Sequence, residues 1–238
     1  MEDYHQRAYQ YTFSIIIPVL NEQSSINTLI EHLYRLSTGE PLEIIVVDGH
    51  PRHTTINVIS YKKVIALTSL PGRALQMNLG AASARREILI FLHADTYLPE
   101  NGLTRIREVL NDKTVVGGAF DLGIRSDKRI FKLIASVSSL RSRLTRIPYG
   151  DQVIFIRKDY FNAMGGYRTI PLMEDVELMQ RIKKRGDTIC IIKEKALTSP
   201  RRWEREGIIY CTLRNWFLVS LYLLGISPNR LTKFYKKL

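Results

Sequence analysis

Cysteine is scarce in this sequence, and its placement argues against two common ways of stabilising a small domain. Only Cys190 and Cys211 occur among the 238 residues, and neither has a histidine or a second cysteine at the spacing of a zinc site. The sequence also lacks the regular cysteine framework of disulfide-rich secreted domains. We therefore expect two free thiols, as in a protein of the reducing cytosol.

Long apolar runs and phosphate-binding loops are missing as well. No stretch reaches the roughly 18 uninterrupted apolar residues of a membrane-spanning helix, and the longest candidate, 216–226, is too short. Residues 1–14 contain no apolar segment of the kind found in a secretory signal. Neither GxGxxG nor GxxxxGK[ST] occurs, and Pro18 stands where a dinucleotide-binding turn needs glycine. A Rossmann-type dinucleotide site is therefore disfavoured.

Acidic residues are the scarcer of the two charge types. The chain has 35 lysines and arginines against 23 aspartates and glutamates, which gives a formal net charge of +12. Such an excess favours an anionic partner: a nucleic acid, an anionic membrane surface or a phosphorylated substrate. It carries no information about the fold.

Strand and helix patterns alternate along the first half of the chain. The predicted strands there are 13–20, 42–49, 63–68 and 87–92, and the predicted helices are 24–36, 54–60 and 72–85. Further along, we predict strands at 115–124, 152–158 and 187–193, and helices at 128–146, 159–167, 173–186 and from about 204 onward. The alternation favours one α/β domain with a mostly parallel sheet flanked by helices.

Carboxylates follow three of the predicted strands. Glu22, Asp48 and Asp95 each come directly after an apolar run, and the carboxyl ends of parallel strands meet at one edge of a sheet. One such acid is most simply a turn or cap residue, but three in successive units on a basic protein indicate a hard cation. Mg²⁺ is often held by one or two carboxylates together with substrate phosphates.

A series of short motifs runs in a fixed order from residue 13 to about 205. They are SIIIPVLNE (14–22), IIVVDG (44–49), LIFLHADT (89–96), GGAF (117–120), PYGDQ (148–152), GGY (165–167), MEDVEL (173–178) and RRWE (201–204). In this order the chain resembles the family 2 glycosyltransferases of the GT-A fold. It is most similar to a branch of small bacterial and archaeal transferases with HAD, PYGDQ, PLMEDVEL and RRWE signatures.

The resemblance implies a set of residues on the nucleotide side. Pro18, Leu20 and Glu22 match the loop that receives the base and ribose, and Asp48 matches the aspartate that reads the base. Independently of the family, Arg73 lies at a helix start after Pro71-Gly72, where contact with a phosphate is favoured.

The resemblance also implies where a metal binds. His93-Ala94-Asp95 occupies the family's D-x-D position, so Asp95 corresponds to the ligand of Mn²⁺ or Mg²⁺ and His93 to a residue that touches ribose. His93 as a metal ligand, or as a structural hydrogen-bonding residue, stays an alternative. The sequence departs from the family at His53, where many members have a second aspartate, and this puts donor identity and activity in question.

On the acceptor side, the resemblance assigns Glu174 and Asp175 to the acceptor-activating site, with Asp175 as the general base. Periodicity alone favours the simpler interpretation, that these two acids interact with the dipole at a helix N-terminus, and the resemblance reverses that preference. Asp151 and Gln152 are expected to line the acceptor side, with turn polarity as the alternative. The segment Arg201-Arg202-Trp203 resembles the tail of a Q-x-x-R-W motif near acceptor and diphosphate.

These assignments imply an inverting, metal-dependent glycosyltransferase of the hexosyltransferase type. It moves a sugar from a nucleotide-diphosphate donor, with a UDP-sugar favoured over a GDP-sugar, to a hydroxyl acceptor for which lipid linkage is one option. The chain then divides into a nucleotide-binding half (13–112), an acceptor and catalytic half (113–205) and a basic C-terminal helical appendage (206–238).

Other interpretations stay open at this point. A catalytically degenerate protein that only binds nucleotides is prompted by His53. A basic module for membrane or nucleic acid explains the charge but not the strand-end carboxylates, and no nucleic acid partner is expected. The segment 208–226 fits a core-packing helix, an interfacial membrane helix or a homodimer face. We expect a cytoplasmic protein, with peripheral contact at the inner face of the membrane as the alternative.

Overall fold

The structure, a computed structural model, describes residues 11–37 and 41–235. Its strands are β1 (Phe13–Val19), β2 (Leu42–Asp48), β3 (Ile65–Thr68), β4 (Ile88–Phe91), β5 (Thr96–Tyr97), β6 (Val115–Ile124), β7 (Ile154–Arg157) and β8 (Thr188–Thr198). Its helices are α1 (Ile26–Leu36), α2 (Arg73–Ser83), α3 (Gly102–Leu110), α4 (Arg129–Thr145), α5 (Lys158–Ala163), α6 (Glu174–Arg185), α7 (Arg201–Glu206), α8 (Ile208–Leu223) and α9 (Pro228–Tyr235). Single 3₁₀ turns occur at Ile56–Val58 and Gly150–Gln152.

All eight strands belong to one sheet in the order β3-β2-β1-β4-β7-β6-β8-β5. The neighbours β3, β2, β1 and β4 are parallel, as are β6 and β8, whereas β7 and β5 pair antiparallel to their neighbours. This mostly parallel sheet flanked by helices confirms the predicted α/β fold class.

Alternating side chains of the parallel strands are buried against helices on both faces of the sheet. Ile15 and Ile17 of β1 belong to the same core cluster as α1, whereas Ile16 belongs to the cluster that contains α2. Because successive strand residues point to opposite faces, a continuous apolar strand is what two covered faces require. Because β1 pairs parallel with β2 and β4, the carboxyl ends of these strands lie at one edge of the sheet, and the candidate site lies there.

A short antiparallel pairing of β5 with the end of β8, which was not predicted, stabilises this edge. Strand β8 extends to Thr198, and its last residues pair with β5, so that Thr96 lies opposite Thr198. The Ser199 amide then donates to the main-chain oxygen of Asp95 at 3.1 Å. The loop after β4 is thus held against the segment that leads into α7. Strand β5 and helix α3 were not predicted, although the buried Leu103, Ile106 and Leu110 give α3 a helical period. The helical C-terminal region, predicted from about residue 204, begins at Arg201.

The described part of the C-terminal segment packs onto the chain that precedes α6. Leu218 of α8 and Leu231 of α9 are fully buried and form a cluster with Leu172. Cys211 is buried, Cys190 is half-buried, and both are free thiols. Among the residues that the structure describes, no helix has both the length and the hydropathy needed to cross a membrane.

Gly117 and Gly118 of β6 allow the backbones of β6, β7 and β8 to approach closely. A Cβ at Gly118 would overlap the main-chain oxygen of Cys190 and lie 2.6 Å from Cζ of Phe155. Gly118→Ala is expected to reduce the free energy of unfolding by about 3 kcal/mol, measured by urea denaturation, because a backbone carbonyl cannot move aside cheaply.

Gly102→Ala is the matched control, since a Cβ there meets no atom closer than 3.3 Å. It lies at the start of a helix and is expected to change the free energy by less than about 1 kcal/mol. Equal stability of the Gly118→Ala variant and the unmodified protein would contradict the close approach.

Candidate active site

A cavity of about 260 Å³ opens at the carboxyl edge of the sheet. Seven of the predicted site residues line it: Arg73, His93, Asp95, Asp151, Asp175, Arg202 and Trp203. They come from the loop after β4, from the starts of α2, α6 and α7, and from the 3₁₀ turn before β7. The fold therefore gathers residues that are up to 130 positions apart (203 minus 73) around one space.

Asp95 presents a nearly free carboxylate to this cavity. Its only hydrogen-bond partner among the described side chains is the Thr96 hydroxyl, at a long 3.4 Å. Burial and the nearby Arg73 lower the pKa of His93 to about 4. The imidazole is therefore neutral near pH 7 and offers one nitrogen as an acceptor and the other as a donor.

Asp175 is held in place by a backbone group. Its Oδ2 atom accepts a hydrogen bond from the Gly150 amide at 2.7 Å. Gly150 lies tightly between two site residues, since a Cβ there would be 2.7 Å from His93 Nε2 and 3.5 Å from Asp175 Oδ2. The absence of a side chain at position 150 is thus what lets the PYGDQ turn touch both groups.

Glu174 lies behind the cavity wall and fixes an arginine. Its Oε1 atom pairs with Nε of Arg73 at 2.8 Å, and its side chain is only 3% exposed. Burial raises the pKa of Glu174 despite the opposing effect of Arg73, while the carboxylate raises the pKa of Arg73. Glu174 itself does not line the cavity, but Arg73, with which it pairs, does.

Asp151 and Gln152 are adjacent in sequence but occupy different environments. Asp151 lines the cavity, and its Oδ1 atom is buried with no partner among the described residues. Burial raises the pKa of Asp151 to about 6, and the charge of Asp175 adds to the effect. Gln152 instead lies behind the wall and is fully buried. It accepts from the Ser142 hydroxyl at 2.6 Å and donates to the main-chain oxygen of Phe120 at 2.9 Å, which corrects its expected place on the acceptor side.

The two arginines of the RRWE segment have different partners. Arg201 reaches across to the loop after β1 and pairs with Glu22 at 2.6 Å. Arg202 pairs with Glu206 at 3.2 Å, and its guanidinium lies 4.1 Å from the ring centroid of Tyr235, to whose hydroxyl it donates. Trp203 donates its indole N–H to the Thr212 hydroxyl at 3.2 Å.

On the nucleotide side, Asp48 organises the loop that follows it. The carboxylate is fully buried and accepts backbone hydrogen bonds from His50, Thr55 and Ile56 at 2.8–3.2 Å. His53, within this loop, has a left-handed backbone with φ of 52°, and its Nδ1 atom is buried without a partner among the described residues.

Leu20 and Pro18 flank the same edge. Leu20 is half exposed at the rim, whereas Pro18 is buried within β1. These residues, with Asp48, lie outside the cavity lining, so their nucleotide contacts stay predictions.

Two aromatic residues of the cavity wall were not predicted. Tyr149 lies within the PYGDQ motif, so the motif itself was an available signal. Tyr235 comes from α9, and no local sequence pattern connects it to Arg202, 33 positions earlier.

The residues present fit a divalent cation of the magnesium type. Among the described residues, no group of three or more histidine, cysteine or acidic side chains forms a ready-made metal cluster. Asp95 nonetheless supplies a carboxylate with open acceptor positions, and Asp151 has a buried oxygen without a partner. A hard cation that takes its remaining ligands from water and phosphates needs no more protein ligands than this.

Residues 14–172 match the sequence model of glycosyl transferase family 2. The chain belongs to this family. A search of curated proteins by sequence gave no match. Several solved glycosyltransferase structures share the GT-A fold with this chain at low sequence identity.

A mannosyltransferase from Pyrobaculum calidifontis, in complex with GDP-Man and Mn²⁺, has a TM-score of 0.59 and 20% identity over 81% of this chain. This family 2 chain spans only 57% of that protein's length. Glucosyl-3-phosphoglycerate synthase from Mycobacterium tuberculosis, in complex with Mn²⁺, UDP and phosphoglyceric acid, has a TM-score of 0.63. Its identity is 18%, with 91% of this chain and 80% of that chain covered.

TarS from S. aureus, in complex with UDP-GlcNAc, has a TM-score of 0.60 and 15% identity. The alignment covers 79% of this chain and 58% of that chain.

The buried carboxylate of Asp151 makes stability depend on pH in a definite direction. Its pKa is about 6 in the folded protein, above the ordinary value of 3.8. The unfolded chain therefore releases this proton first as pH rises, and the folded state loses stability between those two values. Asp151→Asn removes the cost of the buried charge. The melting temperature is expected to rise at pH 8, with little change at pH 3.5.

Asp127→Asn provides the matched control, since Asp127 is exposed. Thermal unfolding followed by circular dichroism at several pH values measures the difference between the two variants. A gain that does not change with pH, or a loss of stability at pH 8, would contradict the buried, unpartnered carboxylate.

Proposed function

We propose that this family 2 glycosyltransferase is a metal-dependent, inverting enzyme that transfers a sugar from a nucleotide-diphosphate donor to an acceptor hydroxyl. The observation that carries the proposal is that Asp95 and Asp175 line one cavity but differ in their hydrogen bonding. The Asp95 carboxylate is nearly free, whereas Asp175 is fixed by the Gly150 amide. One carboxylate suits a cation, and the other suits the proton of an oriented acceptor.

Asp95, with Asp151 near it, would hold Mn²⁺ or Mg²⁺. When bound, the cation neutralises the charge that develops on the diphosphate leaving group. The Mn²⁺ in the similarly folded mannosyltransferase and glucosyl-3-phosphoglycerate synthase supports this choice. A UDP-sugar is the favoured donor and a GDP-sugar the second, since UDP and GDP-Man occur in those two structures.

Among the arginines near the cavity, Arg201 is the most readily available to the diphosphate. Arg73 is 39% exposed and its partner Glu174 is 3% exposed. Arg201 is 59% exposed and its partner Glu22 is 14% exposed. Ion pairs near solvent contribute only about 0–1 kcal/mol, so the more exposed Arg201 exchanges its partner for a phosphate at the lower cost. Guanidinium groups bind phosphate oxygens through paired, charge-assisted hydrogen bonds.

Asp175 receives the proton. The acceptor oxygen gives its hydrogen to the Asp175 carboxylate and forms a bond to the anomeric carbon. The bond from that carbon to the diphosphate oxygen breaks, and its electron pair leaves with the diphosphate. Attack from the side opposite the leaving group inverts the anomeric centre.

A second candidate function is nucleotide binding without turnover. It rests on His53, which replaces the second aspartate of the family's loop and has a buried Nδ1 atom without a partner among the described residues. A donor-hydrolysis assay separates it from the enzyme, because both bind the nucleotide and only the enzyme consumes the donor.

We also propose that the protein is cytoplasmic and associates peripherally with the inner face of the membrane. Helix α8 and the residue after it expose a row of large apolar side chains: Ile209, Leu213, Trp216, Phe217 and Leu224. Combined with the net charge of +12, this surface suits an interfacial helix on anionic lipid. The acceptor would then be lipid-linked.

The double variant Leu213→Gln/Phe217→Gln tests the membrane contact. Both residues are 57% exposed, so folding should be retained while binding to anionic liposomes in co-sedimentation falls several-fold. Removal of the whole segment is unsuitable, because Leu218 and Tyr235 line the cavity.

The substitution pair Val58→Gln/Leu70→Gln, remote from α8 in the chain, is the matched control for loss of exposed apolar side chains, since these residues are 41% and 75% exposed. Unchanged co-sedimentation of the α8 double variant would exclude the proposed contact.

Asparagine substitutions of Asp175 and Asp95 are expected to lower different quantities, the rate of transfer and the metal-dependent nucleotide affinity. Asp175→Asn is expected to reduce transfer by about 10²–10⁴-fold, the usual contribution of a general base, with nucleotide affinity retained. Asp95→Asn is expected to remove the Mn²⁺-dependent part of nucleotide affinity.

Both quantities are measured on the same preparations, transfer by product formation and affinity by titration calorimetry with the nucleoside diphosphate. If Asp175→Asn weakened nucleotide binding as much as transfer, the assignment of Asp175 as the base would be wrong.

A further inference from the structure

Next to the catalytic cavity, an apolar groove of about 400 Å³ runs between α4 and α8. Val137 and Ile147 line one side, and Trp216, Val219 and Leu223 line the other. We propose that this groove binds the hydrocarbon chain of an amphiphilic acceptor whose head group lies in the catalytic cavity. The inference rests on the proposed transferase function and names the class of acceptor that the site takes.

The groove is continuous with the catalytic cavity. Tyr149, Val176 and Val219 line both spaces. Tyr149 directly precedes Gly150, whose amide holds Asp175. A single ligand can therefore occupy the groove with one end and reach the proposed base with the other.

The groove offers few polar groups to a ligand. The Thr145 hydroxyl donates to the main-chain oxygen of Arg141 at 2.8 Å, and the Ser220 hydroxyl donates to that of Trp216 at 3.0 Å. Both are thus satisfied within their own helices. What faces the groove is mainly methyl and ring surface, which favours an aliphatic ligand over a polar one.

A positive charge lies where the groove meets the cavity. The Arg141 guanidinium lies 3.4 Å from the ring centroid of Tyr149 and donates to the main-chain oxygen of Ile147 at 3.1 Å. Its Nε atom is buried without a partner among the described residues, and none of the described carboxylates forms an ion pair with it. A phosphate at the head of the hydrocarbon chain would complement this charge.

Apolar stripes flank the mouth of the groove on both helices. On α4 they include Leu133, Leu140 and Leu144, of which Leu144 is 75% exposed; on the other side they include Phe217 of α8 and Leu224 directly after it, of which Leu224 is 81% exposed. The spacing of seven and four residues places each set on one helix face. A chain that leaves a bilayer would enter the groove without crossing water, which favours a lipid occupant over a second protein copy.

Trp216 provides a direct readout, since the chain has only two tryptophans. In a Trp203→Phe background, Trp216 is the remaining indole, and it lines the groove. The probe is a long-chain alkyl phosphate brominated on its chain, used below its micelle concentration. The corresponding brominated alcohol and a short-chain alkyl phosphate are the comparison ligands.

Saturable quenching of Trp216 by the long-chain phosphate is expected, with weaker binding of the alcohol and none of the short-chain phosphate. Ser138→Phe fills the groove from α4 and is expected to weaken binding about tenfold or more. Ser136→Phe is the matched control, because Ser136 lies on the same helix, exposed and outside the groove lining. It should bind the probe like the unmodified protein, and both variants are first checked for native thermal unfolding.

Absence of saturable quenching, or equal binding by the Ser138→Phe and Ser136→Phe variants, would overturn the proposal. Equal binding of alcohol and phosphate would overturn the role given to Arg141. If light scattering showed a dimer that Ser138→Phe dissociates and that excludes the probe, the groove would be an interface between copies. Transfer is assayed separately with the amphiphilic acceptors. Probe binding without any transfer would refute the proposed function and leave the groove assignment standing.

Discussion

The parallel alignment of β1, β2 and β4 is the constraint on which the candidate site depends. These strands are buried on both faces along most of their length, so carboxylates that can meet a ligand come at or after the strand ends. The ends lie at one sheet edge, where Asp48 is the last residue of β2 and Glu22 and Asp95 follow β1 and β4. The packing of the core thus brings these acids to one edge, and of the three Asp95 lines the cavity.

Charge is distributed unevenly around this edge. The protein as a whole is strongly basic, yet the cavity contains Asp95, Asp151 and Asp175. Arginines around the site are held by carboxylates, Arg73 by Glu174 and Arg201 by Glu22. This arrangement keeps positive charge close to where a diphosphate would lie, while the free carboxylate of Asp95 is kept for a cation. A nucleotide sugar with its metal is complementary to both parts.

Sequence patterns were sufficient for what depends on local periodicity or on the family's motifs. Most strands and most helices follow from apolar spacing, and the motifs led to Asp95 and Asp175, which do share the cavity. They were insufficient where a distant partner decides a side chain's place. Gln152 turns away from the cavity because Phe120 and Ser142 satisfy its amide.

The C-terminal helices show the same limit. Their composition left core, membrane and dimer arrangements open, and only tertiary packing shows that Leu218 and Tyr235 line the catalytic cavity. Likewise, Glu174 and Asp175 are adjacent acids in one motif. Their separate environments, one against Arg73 and one against Gly150, arise from contacts with α2 and with the turn before β7.

The central claim is that this chain consumes a nucleotide-diphosphate sugar with the help of a divalent cation. Its most direct test is donor hydrolysis measured over a panel of UDP-, GDP- and dTDP-sugars, each with Mn²⁺ and with a chelator. The account predicts that donors of one nucleotide class are hydrolysed and that the chelator abolishes the reaction. Cation-dependent nucleotide binding without hydrolysis of any donor would contradict it.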